Sequence, residues 1–303
     1  MVTVKKKIVG TREYYYLQHS LRTPDGVRSR EKYLGSKVPA NIEVIKREFL
    51  AEINKERWYP LFEAIRSNYV KELRTMPKSA REKNARFFAV KFTYDTNRIE
   101  GSSLTYRETA DLLERGLSPR SRPVADVKEA EAHDRVLGEV LEYKRDLSLQ
   151  IILYWHKQLF SGTKPGIAGK VRTGQVWISG SRFTPPSPVE VWLLIREFFR
   201  WYDRAKTSMH PVELAAVVHL RFVTIHPFTD GNGRVSRLLM NFVLKKHGYP
   251  LLDIPYGDRR GYYNALERSQ VRNTDRVFVQ WFIRKYLKEN ARYIGKRRRS
   301  GGR

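Results

Sequence analysis

The sequence predicts a mainly α-helical protein, with a small antiparallel β element at its N-terminus and one short β-hairpin set among the helices. Three observations carry that class. Apolar residues recur at three- and four-residue spacing from about Ala40 onward. The first segment instead alternates, with tyrosines and β-branched residues flanking a turn. One later stretch, "GKVRTGQVWISGSRFTPPSP", breaks the helical rhythm with glycines, alternation and a double proline.

Taken in order, "REYYYLQHSLR" and "VRSREKYLG" flank Pro24-Asp25-Gly26 and read as two antiparallel strands, the second ending at Gly35. The tyrosines are read as packing this hairpin against the helix that follows. A helical arm then runs through "IEVIKREFLAEINKERWYPLFEAIRSNYVKEL". "FAVKFTYDTNRIEGSSLTYRETADLLERG" reads as two helices joined tightly. Gly101 suits the C-terminal left-handed position of the first. Thr105 and Glu108 form a capping box for the second, and Gly116 ends it. Helical pattern returns from about Val127 to Phe160, and the interrupting hairpin follows. "VWLLIREFFRWYDRA" is again helix, and "HPVELAAVVHLRFVTI" is apolar nearly all round, as a central buried helix is. "VSRLLMNFVLKKHGYP", closed by Gly248 and Pro250, and two further helices complete the chain.

The chain has 303 residues and 41% hydrophobic residues, enough for a sizeable buried core. It has no cysteine, which removes disulfides, zinc–thiolate sites and thiol nucleophiles together. No apolar run approaches about 18 residues, and Met1 is followed by polar and charged residues rather than a signal-peptide core. The expectation is a soluble, cytoplasmic protein with no membrane partner. The formal net charge of +26 attracts polyanions: nucleic acid, nucleotides or acidic proteins. A generally basic proteome gives the same balance. The local runs Lys5-Lys6-Lys7 and Lys296-Arg297-Arg298-Arg299 are read as solvated tails.

One stretch resists explanation by packing: "IHPFTDGNGRVSRLL", Ile225 to Leu239. Pro227 disfavours helix at His226, so the buried helix stops there and presents an imidazole at its end. Gly231 and Gly233 let backbone N–H groups converge without Cβ obstruction. A new helix begins near Gly233, and its N-terminus is a ready anion site. Arg234 and Arg237 share a face of its first turn. Asp230, just before it, is placed to hold a hard cation such as Mg²⁺ against phosphate oxygens. A base, a metal ligand, an anion cradle and two arginines describe phosphoryl or nucleotidyl transfer. No rival motif competes. "GIAGKV" ends in Gly-Lys, but a P-loop needs glycine where Lys164 stands and Ser or Thr where Val171 stands. His219, inside the apolar helix, is read as a satisfied core residue.

"HPFTDGNGRVSR" resembles, without mismatch, the signature of Fic-domain proteins, and the resemblance extends from roughly Phe92 to Tyr286. It implies a Fic-type helical core, with the hairpin as the family's flap. It further implies a protein adenylyltransferase that moves AMP from ATP to a Ser, Thr or Tyr hydroxyl of a target protein. His226 is then the general base, Asp230 the Mg²⁺ ligand, and Gly231, Asn232 and Gly233 the anion hole. Arg234 and Arg237 grip the outer phosphates. Val176, Trp177, Ile178 and Ser179 in the flap, with Tyr262, Tyr263 and Gln270, border the nucleotide, although Gln270 falls where relatives carry Asn. The flap's strand edge holds the target by main-chain pairing. Glycine at 233, where kinase-like members carry lysine, favours AMP transfer; other nucleotidyl or phosphocholine donors stay within the fold's reach.

"TNRIEG", Thr96 to Gly101, resembles the family's inhibitory helix pattern. On that reading Glu100 pairs with Arg237 where the γ-phosphate should sit. The same carboxylate suits a hydrolase that orients water to remove AMP. A third reading is a basic nucleic-acid-binding protein with a vestigial site, resting on the charge and on the tyrosine-rich strands, since aromatic and basic residues on a sheet suit single strands. Homo-oligomers are compatible with each. The resulting divisions are residues 1–38 (β-rich element), 39–91 (helical arm), 92–290 (catalytic core with inhibitory helix) and 291–303 (basic tail).

Overall fold

The computed structural model describes residues 2–23 and 26–295. The turn at Pro24-Asp25 and the basic run from Lys296 lie outside them. The chain divides into two compact units, Met1–Glu63 and Ala64–Arg303.

The first unit holds a three-stranded antiparallel sheet, β1 (Thr3–Val9), β2 (Arg12–Thr23) and β3 (Gly26–Gly35), in the order β1-β2-β3. β2 and β3 are the strands the alternation predicts. β1 is a correction, because Lys5, Lys6 and Lys7 lie in a strand and not in a solvated tail. Its pairing explains why: Val4 stands opposite Leu17, on the face that α1 (Ile42–Thr75) covers. Leu17, Phe49 and Ile53 form a small core there, with Val2, Val4, Leu21 and Leu34 against it. Lys5 and Lys7 point the other way, opposite Tyr16 and Tyr14. The tyrosines are a second correction. Tyr14, Tyr16 and Tyr33 stack among themselves on the face away from α1, with Tyr33 ring-to-ring at 6.2 and 5.2 Å from the other two. α1 continues through Pro60, which removes one helical N–H donor without ending the helix.

The second unit is helical. After the rest of α1 come α2 (Lys78–Ile99), α3 (Tyr106–Arg115), α4 (Val124–Glu142), α5 (Leu149–Phe160), α6 (Pro188–Ser208), α7 (Pro211–Ile225), α8 (Asn232–Lys246), α9 (Arg259–Val271), α10 (Arg276–Glu289) and α11 (Ala291–Ile294). The capping box of Thr105 and Glu108 closes the start of α3, and Gly116 ends it in the left-handed conformation. α7 is the hub, buried along almost its whole length and packed on α8, α6 and α10. α8 is nearly as buried, with Leu238, Leu239 and Met240 fully enclosed. Among the described residues no helix is long and apolar enough to cross a membrane.

The flap between α5 and α6 turns back on itself without strand pairing between its arms. The physical reason is in its return arm, where Pro185 and Pro186 have no N–H to donate. Side chains tie the arms instead: Gln175 Nε2 donates to the Pro185 carbonyl (3.1 Å) and Arg172 Nη2 to that of Pro186 (2.6 Å).

Candidate active site

α7 and α8 are joined by the six residues from His226 to Gly231, and local chemistry shapes that joint. His226 caps α7 in the left-handed conformation (φ 52°, ψ 57°), rare for a residue with a side chain, and Pro227 after it disfavours a further right-handed turn. Its Nδ1 lies 3.1 Å from the Val223 carbonyl. A carbonyl only accepts, so Nδ1 carries the proton and Nε2 keeps the free lone pair of a base. Burial pushes its pKa below the usual value, against the opposing pull of that carbonyl.

Gly231 precedes α8 with φ 82°, and a Cβ there would run into the Phe160 ring. Asn232 is buried and braces the joint with both ends of its amide. Its Oδ1 accepts from Phe228 N at 2.9 Å, and its Nδ2 donates to Phe228 O at 2.8 Å. What Asn232 offers an anion is therefore its backbone, at a helix start whose first N–H groups lack helical partners.

Asp230 stands at the rim of a four-charge cluster. Its Oδ2 accepts from Lys164 Nζ at 2.6 Å and lies 3.5 Å from Arg234 Nη2. Lys164 also meets Glu129 Oε1 at 3.1 Å, and Arg234 Nη1 pairs with Glu129 Oε2. Burial works to raise the Asp230 pKa, but Arg234 and Lys164 hold it below the usual carboxylate range. An ionised carboxylate beside an anion cradle fits Mg²⁺, which is ordinarily held by one or two carboxylates plus phosphates and water.

Arg237 is almost fully buried. Its Nη2 donates to Glu100 Oε1 at 2.6 Å and to the Thr96 carbonyl at 3.3 Å. Nε meets Thr96 Oγ1 at 3.2 Å and Nη1 the Tyr262 hydroxyl at 3.3 Å. Burial alone would lower its pKa; Tyr262 and Glu100 raise it instead. The Glu100 carboxylate also sits on the first turn of α8, so that a Cβ on Gly233 would overlap its Oε1.

Of the remaining residues named from the sequence, Tyr262 is buried, its hydroxyl 3.0 Å from His219 Nε2; that core histidine is satisfied at Nε2 and not at Nδ1, which is buried without a partner. Tyr263 donates to the Ile99 carbonyl at 3.1 Å, next to Glu100. Tyr263 therefore braces the glutamate's end of α2, and Tyr262 the arginine that the glutamate meets. Gln270 Nε2 reaches Thr224 Oγ1 (3.3 Å) and, with Thr224 and Ile225, lines a cavity of about 290 Å³. Val176 to Ser179 lead into the flap's turn, which Ser181 N closes on the Ile178 carbonyl at 3.1 Å, with Trp177 75% exposed.

Sequence reasoning missed four residues. Arg172 is buried and bolts the flap to the joint: Nε donates to the His226 carbonyl at 2.7 Å, and its backbone N to the Pro227 carbonyl at 2.9 Å. His156 stacks on Phe228 and contacts the Asp230 carbonyl at 3.0 Å, its pKa pushed down to about 4 by burial. Glu129 and Lys164 complete the charge cluster. None sits in a spacing pattern; a histidine in the apolar "YWHKQLF" was the one faint signal.

With this geometry in hand, residues 146–244 match the Fic/DOC family. That segment takes in the flap, Lys164, Arg172 and the whole joint, while Glu100, Glu129 and Tyr262 come from outside it. The chain is 37% identical over 184 residues to protein adenylyltransferase Fic of Drosophila ananassae. It is 31% identical over 217 residues to protein adenylyltransferase fic-1 of Caenorhabditis briggsae. Those stretches are 57% and 70% of this chain, which spans only 35% and 42% of the relatives' own length. Among solved structures, a Fic-domain-containing signaling protein from Bacteroides thetaiotaomicron superposes with a TM-score of 0.69 at 28% identity. It covers 77% of this chain and 95% of that one. Fic-1 from Caenorhabditis elegans gives 0.68 at 26% identity, covering 85% and 77%. The matched segment thus supplies the joint and flap, and α4 and the end of α2 supply Glu129 and Glu100 to its arginines.

Proposed function

We propose that this protein is an adenylyltransferase that joins AMP from ATP to a hydroxyl of a protein target, held in check by Glu100. The observation that carries the reading is the placing of His226. Its Nδ1–H is fixed on the Val223 carbonyl, which leaves Nε2 as a base beside the helix start at Gly231-Asn232-Gly233. Relatives named protein adenylyltransferase support the chemistry.

His226 Nε2 takes the proton of the target hydroxyl, an effect worth about 10²–10⁴-fold. The hydroxyl oxygen bonds to the α-phosphorus of ATP as the bond to pyrophosphate breaks, and pyrophosphate leaves with that electron pair. The α8 N-terminus and Arg234 hold phosphate oxygens by charge and N–H donors. Asp230 would hold the magnesium ion, which when bound neutralises phosphate charge. Arg237 is the cation for the outermost phosphate, and Glu100 occupies it; a carboxylate there also repels phosphate in a partly dry site.

The test uses ATP labelled on its α-phosphate. Glu100→Gly should label itself or lysate proteins at least about tenfold faster than wild type, and His226→Ala should leave no label above background. Label from Glu100→Gly no stronger than wild type would remove the switch. Label surviving in His226→Ala would remove the base.

A further inference from the structure

The exposed face of the N-terminal sheet lies outside the segment that matches the Fic/DOC family. Helix α1 covers the side bearing Val4, Leu17 and Leu34. On the other side the register sets Lys5, Tyr16 and Tyr33 in one row across three strands, with Lys7 and Tyr14 in the next. The three rings pack at 5.2 and 6.2 Å, and Tyr33 stays 55% exposed within the whole chain. Lys7 Nζ lies 4.6 Å from the Tyr16 ring centroid. Arg12, at the register position opposite Val9, adds a cation to this face. Glu31, paired with Lys7 at 2.7 Å, is the face's acid. Residues 1–38 as a whole hold nine lysines and arginines against three acids.

A protein interface and a nucleic-acid interface would use such rings differently. The core of a protein contact is depleted in charged residues, lysine among them. Here the rings stand beside lysines and the polar side chains of Thr3, Gln18, Ser20 and Ser29, with Val9 and Val27 the apolar residues at the two ends of the face. Phosphates require the cations and bases the ring faces, and a base offers its face only when unpaired. We propose that this sheet face binds single-stranded nucleic acid, with Tyr33 and Tyr16 as the stacking platform and Lys5, Lys7 and Arg12 along the phosphates. The site is independent of the AMP-transfer reading and stands or falls apart from it.

The experiment is fluorescence anisotropy of the full chain with a short labelled single-stranded oligodeoxynucleotide, and with the same sequence as a duplex. Salt is varied from about 50 to 200 mM, the range over which phosphate contacts lose affinity. The single strand should bind more tightly than the duplex. Tyr33→Ala should weaken it at least about fivefold and Tyr33→Phe should restore it, since stacking needs the ring and not the hydroxyl. Lys5→Glu with Arg12→Glu should weaken binding and flatten its salt dependence. Circular dichroism and AMP labelling of each variant in the Glu100→Gly background should match the parent. A duplex bound as tightly as the single strand overturns the proposal. So does unchanged affinity in Tyr33→Ala, or no binding by the wild type at the lowest salt.

Discussion

Arg234 and Arg237 stand three residues apart on α8, and both are buried, at 4% and 1% exposure. Their neutralisation differs. Arg234 belongs to a cluster of two acids and two bases in which Glu129, Asp230 and Lys164 hold one another. Arg237 faces one carboxylate, Glu100, at the very end of α2, and its other acceptors are neutral: Thr96 and Tyr262. A network that balances its own charge loses stability when any member leaves. A single pair backed by neutral acceptors can open and still leave the guanidinium hydrogen-bonded. The first arrangement suits a fixed scaffold and the second a removable stopper, although both arginines belong to one helix turn.

The largest effect should come from breaking the network. Glu129→Gln breaks two ion pairs at once, with the buried Arg234 and with Lys164, and should lower unfolding free energy by about 3 kcal/mol. Glu100→Gln keeps an acceptor for Arg237 and should lower it by about 1 kcal/mol. Urea unfolding of both variants measures the contrast, and equal losses would erase the distinction drawn above.

A sharper test uses space in place of charge. Gly233 has helical backbone, but its Cβ position is taken by the Glu100 carboxylate. Gly233→Ala should therefore destabilise the wild type by about 1–2 kcal/mol, and leave the Glu100→Gly chain nearly untouched. Additive losses in that double-mutant cycle would mean that the two residues do not share the volume.

The smallest effect is on pH. Burial lowers the His226 pKa from the ordinary 6.5, so the base stays neutral to lower pH than a free imidazole. AMP labelling by Glu100→Gly should hold steady as pH falls through neutrality and be lost along an acid limb centred below pH 6.5. A midpoint above that value would mean that the titrating group is not a buried His226.

Much of the site was legible because its residues are contiguous and chemically unusual. A histidine before proline, an acid before Gly-Asn-Gly and two spaced arginines announce themselves. Glu100 was legible only through a short pattern that the joint made meaningful. Glu129, Lys164 and Arg172 were not, since they are ordinary charged residues whose meaning arises when α4, α5 and the flap converge. The capping box at Thr105 and the buried α7 could be read from local rules. β1 could not, because Lys6 interrupts the alternation of Val2 and Val4 with Thr3, Lys5 and Lys7, and a charge run masked a strand. The flap misled in the opposite sense: its alternation promised a ladder that Pro185 and Pro186 deny. The tyrosines were visible at once, but which face they occupy depends on register, and register is set by where Leu17 must go.

Arg172 makes the flap and the base one mechanical piece. Its guanidinium holds the His226 carbonyl with Nε, and the carbonyls of Gly174 and Pro186 with its other nitrogens. A force on the exposed tip at Trp177 therefore travels along a rigid, planar link to the backbone that carries the imidazole. What lies against Trp177 and where the imidazole stands are thereby geared together.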